Sequence, residues 1–66
     1  MQLMVNGEAR EVRDGSTVAS LVDDLGCSPK GMAVAVNEEL VPRSTWPGAE
    51  LRAGDRVEVL VAKQGG

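Results

Sequence analysis

An α+β domain, with one helix packed on one face of a mixed sheet of four to five strands, is the fold this sequence predicts. Three observations predict it. Short runs with strand alternation surround a single stretch of helical spacing, in the order β-β-α-β-β-β. The helical stretch is apolar along one stripe only, so that stripe must bury against a sheet. The chain has 66 residues, enough for one domain and not for a second.

The elements follow in order. Leu3 and Val5 alternate with Gln2 and Met4, the pattern of a half-buried strand. Asn6-Gly7 comes next, a strong short hairpin signal, because both residues tolerate the positive φ of a type I′ turn. Glu8 to Val12 reads as the return strand, and Asp14-Gly15 as a second turn. Thr17 is a good N-cap, with Ser16 as the alternative. Behind it Val18, Leu21, Val22 and Leu25 recur at helical spacing, with Asp23 and Asp24 on the opposite side. Gly26 suits the left-handed C′ position, and Pro29 prevents the helix from resuming. Met32 to Val36 reads as a third strand, Asn37 to Glu39 as a turn, and Leu40-Val41 as a short strand. Pro42 confines that strand to an edge, because it cannot donate a ladder hydrogen bond. Arg43 to Glu50 reads as a loop, Gly54-Asp55 as a turn, and Arg56 to Val61 as the last strand. This order is the ubiquitin-like β-grasp arrangement. Analogy with that fold, not periodicity, places the first and last strands side by side and parallel at the sheet's centre. The domain is expected over residues 1–62, with 63–66 as a flexible tail.

Composition excludes several functions. A chain this short buries only about 60% of the surface its unfolded form exposes, so a cleft holding a full catalytic set is not expected. With no His and one Cys there is no Cys/His zinc site and no internal disulfide. The net charge of −3, without a basic cluster or aromatic platform, disfavours nucleic acid. No long apolar run and no signal-type start appear, so no membrane association is expected and the expected location is the cytoplasm.

The sequence ends in Gly65-Gly66, directly behind a strand-like run. Residues without Cβ can be threaded into a narrow active site and approached closely by a partner's groups. Two glycines at a terminus are also what a frayed end looks like. The rest of the chain bears on the choice. Val5-Asn6-Gly7-Glu8, Asp14-Gly15-Ser16-Thr17-Val18 with Leu21, Leu25 and Gly26, and Val34-Ala35-Val36-Asn37 stand in that order. Val41-Pro42-Arg43-Ser44 and Leu51 to Val59 follow. Together with the terminal Gly-Gly, this series resembles the ThiS family, the sulfur carriers of thiamine biosynthesis, over nearly the whole length.

The resemblance implies a carrier and not an enzyme, with no catalytic residue and no bound cofactor or metal of its own. It implies that an E1-like adenylyltransferase uses ATP to convert the Gly66 carboxylate to an acyl adenylate. A persulfide sulfur donor then leaves a thiocarboxylate, and thiazole synthase uses that sulfur for the thiazole ring. Gly65, Gln64 and Lys63 would be threaded with Gly66, although Lys63-Gln64 is more polar than expected there.

Strand alternation suggests a docking surface. If Leu3 and Val5 face the helix, Met4 faces outward. If Val57, Val59 and Val61 face the helix, Arg56, Glu58 and Leu60 face outward. Met4 and Leu60 would then be exposed apolar residues on adjacent strands, with Ala33 and Ala35 extending the same face. Cys27 is either a reactive thiol or a small buried hydrophobe. Trp46 either anchors a partner or folds back over its own domain. Three rival functions remain. One is the small subunit of molybdopterin synthase, which tends to be longer and to carry Phe where this chain has none. The others are a ubiquitin-like protein modifier and a β-grasp binding module with an inert tail.

Overall fold

The computed structural model describes residues 1–26 and 31–61. Strands β1 (Gln2–Val5) and β2 (Glu8–Glu11) form the opening hairpin. Helix α1 (Val18–Asp24) follows, then β3 (Met32–Val36), β4 (Glu39–Val41), a 3₁₀ segment at Arg43–Gly48, and β5 (Arg56–Val61). The five strands form one sheet in the order β2-β1-β5-β3-β4. β1 and β5 run parallel, with Met4 opposite Arg56 and Val5 opposite Val57. The other three pairings are antiparallel. The expected central pair of first and last strands is therefore present, and β5 is the middle strand.

Both two-residue turns have positive φ at both central residues, Asn6 at 51° and Gly7 at 83°, Asn37 at 51° and Glu38 at 70°. That is the type I′ geometry whose twist matches the strands it joins. The helix begins where the sequence indicates. The Thr17 hydroxyl accepts from the Ser20 N–H at 3.2 Å, and the Ser20 hydroxyl accepts from the Thr17 N–H at 2.9 Å. This reciprocal capping box satisfies two donors that the first helical turn cannot pair internally. It uses Ser where Glu or Gln is usual. Leu25 is the C-cap and Gly26 follows at φ 71°, in the left-handed region where glycine carries no Cβ penalty.

One face of the sheet and the helix stripe make the core. Leu3, Val5, Val34 and Val57 meet Val18, Leu21 and Val22, with Met32, Leu51 and Trp46 closing the ends. Leu25 is half-buried, and Asp23 and Asp24 are exposed. The loop expected over Arg43 to Glu50 contains a 3₁₀ segment, built on i→i+3 bonds such as Thr45 N–H to the Pro42 carbonyl at 2.9 Å. It turns Trp46 inward, 4% exposed, where Nε1 donates to the Val41 carbonyl at 2.9 Å. Trp46 is thus a core residue of its own domain.

Val61 departs from expectation. Alternation assigns it to the helix side, yet it is 60% exposed. The reason is length. A seven-residue helix is about 10 Å long, whereas a six-residue strand runs about 20 Å. Burial falls along β5 from Val57 through half-buried Val59 to exposed Val61, as a helix shorter than the strand dictates.

The true sheet edges are guarded. Every residue of β2 is exposed, and Glu8, Arg10 and Glu11 charge it. β4 lies at the other edge, bounded by Glu39 and Pro42. At the start of the chain the Met1 ammonium donates to the Val12 carbonyl at 2.7 Å and pairs with Glu11 at 3.0 Å and Asp14 at 3.3 Å. Hydrogen bonds to Glu11 and then Asp14 hold its pKa above the usual value of 8.0.

Candidate functional site

The site is built around the exit of β5. Arg56, Glu58 and Leu60 lie on the face away from the helix, with Met4 beside Arg56. Met4 is 37% exposed and Leu60 63%. Both outward assignments from alternation therefore hold. The register adds what alternation does not contain. Leu60 stands four residues beyond the partner of Met4, about 13 Å along the strand, with Glu58 between them on the same face. Met4 and Leu60 are two apolar points on one face and not a continuous patch. Leu60 pairs instead with Ala33, and Glu58 with Ala35, so the half-buried alanines do flank this face as expected.

Around Met4 the two type I′ turns rise on either side of β5 and leave an open concavity of about 440 Å³. Asn6, Glu38, Arg56 and Glu58 line it, with Met4 and Val57 supplying apolar surface. No ion pair joins Arg56, Glu58 or Glu38 to another of the described residues. The face thus offers a partner both signs of charge.

Two asparagines do more than sequence reasoning assigns them. The Asn37 N–H donates to the Arg56 carbonyl at 2.7 Å, and its Oδ1 accepts from the Arg56 N–H at 3.0 Å. Its Nδ2 donates to Asp55 Oδ1 at 3.0 Å. On the other side of β5 the Asn6 N–H donates to the Val57 carbonyl at 2.9 Å, and Oδ1 accepts from the Val59 N–H at 2.8 Å. In the sequence a positive-φ turn already accounts for each asparagine, so these second roles carry no separate signal.

Lys63, Gln64, Gly65 and Gly66 lie outside the described residues, as do Cys27 and Pro29. Among the described residues there is no group of three or more potential metal ligands. No described helix is long and apolar enough to cross a membrane.

A five-stranded mixed sheet with one helix on one face and a parallel central pair defines the class, the ubiquitin-like β-grasp. The crystal structure of the thiamine biosynthesis protein (ThiS) from Geobacter metallireducens superimposes with a TM-score of 0.85 and 29% identity, all of each chain being covered. The ThiS family model matches residues 3–66, and the chain belongs to the ThiS family. It is 40% identical over 62 residues to the sulfur carrier protein ThiS of Thermus thermophilus, covering 94% of this chain and 95% of that one. It is also 35% identical over 66 residues to a thiazole synthase of Paramagnetospirillum magneticum. All of this chain is matched there, but it spans only 20% of that protein's length.

Proposed function

We propose that the chain is a sulfur carrier serving the thiazole ring of thiamine, with Gly66 as the point of attachment. One observation carries the reading. The same small domain occurs as a separate protein named a sulfur carrier and as a fifth of a protein named thiazole synthase. A domain joined to a thiazole synthase in one chain is suited to deliver its cargo to such an enzyme.

The chemistry follows from the carboxylate. A carboxylate is a poor electrophile, so it needs activation before sulfur can attack. An E1-like adenylyltransferase joins the Gly66 carboxylate to AMP from ATP and releases pyrophosphate. The terminal sulfur of an enzyme persulfide displaces AMP and forms an acyl persulfide. A thiol then attacks the enzyme's sulfur, which breaks the S–S bond, leaves the thiocarboxylate on Gly66 and forms a disulfide. The carrier supplies no side chain to these steps and binds no cofactor of its own, since the partner consumes ATP. In this reading the carrier works in the cytoplasm, where its partner finds ATP.

Its contribution is presentation. Gly65, Gln64 and Lys63 thread Gly66 into the partner, while Met4 and Leu60 contact the partner's surface. Positioning of this kind can supply about 7–11 kcal/mol of a barrier.

The test is the mass of the C-terminal peptide after reaction with ATP, the adenylating enzyme and a sulfur donor. Cleavage after Glu58 releases Val59 to Gly66, a peptide without Met or Cys. Methionine oxidation therefore cannot imitate the exchange of oxygen for sulfur. A sulfur-for-oxygen shift trapped by alkylation is expected. An unshifted peptide with demonstrably active partners would overturn the proposal. Branched peptides bearing this Gly-Gly end on lysines of other proteins would point to the modifier instead.

A further inference from the structure

The Asn6 side chain does something the β1–β2 turn does not require. A type I′ turn asks of its first central residue only a positive φ, which glycine supplies as well as asparagine. The Asn6 carboxamide instead reaches the last strand. Oδ1 accepts from the Val59 N–H at 2.8 Å, and Nδ2 donates to the Val59 carbonyl at 3.4 Å.

These bonds matter because of where β1 stops. The N–H groups of Met4 and Asn6 donate to the carbonyls of Asp55 and Val57 at 3.0 and 2.9 Å. The odd-numbered residues here therefore turn their backbone toward β1. The β1 register with β5 covers only Arg56 and Val57, while the β3 register runs on to Val61. Past Val57 the middle strand keeps a neighbour on one side only. A carboxamide carries the donor and acceptor of a peptide group. Asn6 thereby adds one rung to the ladder, at the level of Val59. The strand is gripped on both sides up to that residue, two residues before its end.

We infer that Asn6 is a positioning residue for the reactive tail, its carboxamide fixing the β1 side of β5 at Val59 and so the direction in which the chain leaves the domain. The inference rests on the carrier reading. Five residues separate Val61 from the end of the chain, a reach of at most about 17 Å when extended. Over so short a tether, the position at which β5 is held sets the space that the reacting carboxylate can reach.

The test uses the full chain with Asn6→Gly and Asn6→Asp. Glycine keeps the turn and removes the carboxamide. Aspartate keeps an oxygen to accept from the Val59 N–H. Amide hydrogen exchange at Val59 is read against Leu3 and Val34, and thiocarboxylation kinetics with the adenylating enzyme are read as kcat and KM. In Asn6→Gly, Val59 exchange is expected to accelerate while Leu3 and Val34 stay protected. Turnover should fall roughly tenfold at unchanged KM, short of the about hundredfold that 1 Å of misplacement can cost. Asn6→Asp keeps the acceptor but not the Nδ2 donor, and should restore both readings in part. Unchanged Val59 exchange in Asn6→Gly would overturn the clamp. Faster exchange with unchanged turnover would overturn the positioning role while leaving the carrier reading intact. A wild-type chain that never acquires sulfur would defeat the carrier reading and this inference together.

Discussion

Replacing Trp46 separates packing from hydrogen bonding in the one aromatic residue of the domain. Its indole is 4% exposed and its Nε1 donates to the Val41 carbonyl at 2.9 Å. Burying an aromatic side chain removes about 150–250 Å² from water. At about 25 cal/mol/Å² that is roughly 4–6 kcal/mol as an upper value. Measured aromatic-to-alanine changes in cores cost about 3–5 kcal/mol. A 66-residue domain at about 0.05–0.15 kcal/mol per residue has about 3–10 kcal/mol in all. Trp46→Ala should therefore remove most of the stability. Trp46→Phe keeps most of the packing but leaves the Val41 carbonyl without its indole donor, a loss of about 1–3 kcal/mol. At about 4–8 °C per kcal/mol for a domain of this size, the melting temperature should fall by very roughly 5–20 °C. Urea and thermal unfolding followed by circular dichroism measure both. If Trp46→Ala unfolds like wild type, the indole is no part of the core and its earlier reading as a partner anchor returns. If Trp46→Phe matches wild type, the Nε1 bond contributes nothing.

Three further outcomes follow from the same structure. Thr17→Ala removes one half of the capping box and should cost about 1 kcal/mol in urea unfolding, within a range of about 0.5–2. Leu60→Asp, at a 63% exposed position, should leave stability within about 0.5 kcal/mol and weaken thiocarboxylation; unaltered transfer kinetics would remove Leu60 from the docking surface. The Met1 ammonium has a folded pKa raised above 8.0, so its stabilisation is complete below pH 8 and is lost as pH rises through the folded value. Urea midpoints measured from pH 7 to 10.5 should decline over that window, and the decline should shrink in a Glu11→Gln/Asp14→Asn variant.

Local chemistry was legible wherever a single residue dictates a backbone state. Asn6-Gly7 marked the turn, Thr17 and Gly26 bracketed the helix, and Pro42 placed β4 at an edge. Element order with fold analogy supplied the parallel central pair. What the sequence lacked was register and coverage. Alternation put Met4 and Leu60 on one face correctly, but only the pairing of Met4 with Arg56 shows how far apart they lie. The same alternation failed at Val61, because periodicity within a strand does not contain the length of the helix above it. The 3₁₀ segment at Arg43–Gly48 was hidden by its shortness. One or two tight turns carry no repeating apolar stripe, and the direction of Trp46 depends on a cavity made by distant residues. The second roles of the Asn6 and Asn37 side chains leave no mark in the sequence, because a turn alone is reason enough for asparagine at each position.

The middle position of β5 has a consequence for how the protein comes into being. Without that strand the sheet divides into the β1–β2 and β3–β4 hairpins, and a two-stranded hairpin is at best marginally stable in water. The bond from the Met4 N–H to the Asp55 carbonyl closes a loop of some fifty residues, so little of the sheet can form before nearly the whole chain is available. A nascent chain on the ribosome, or one truncated before Arg56, has no finished sheet. The strand made last is thus the one that joins the two halves of the sheet. Folding of the sheet therefore waits on the last strand to be made.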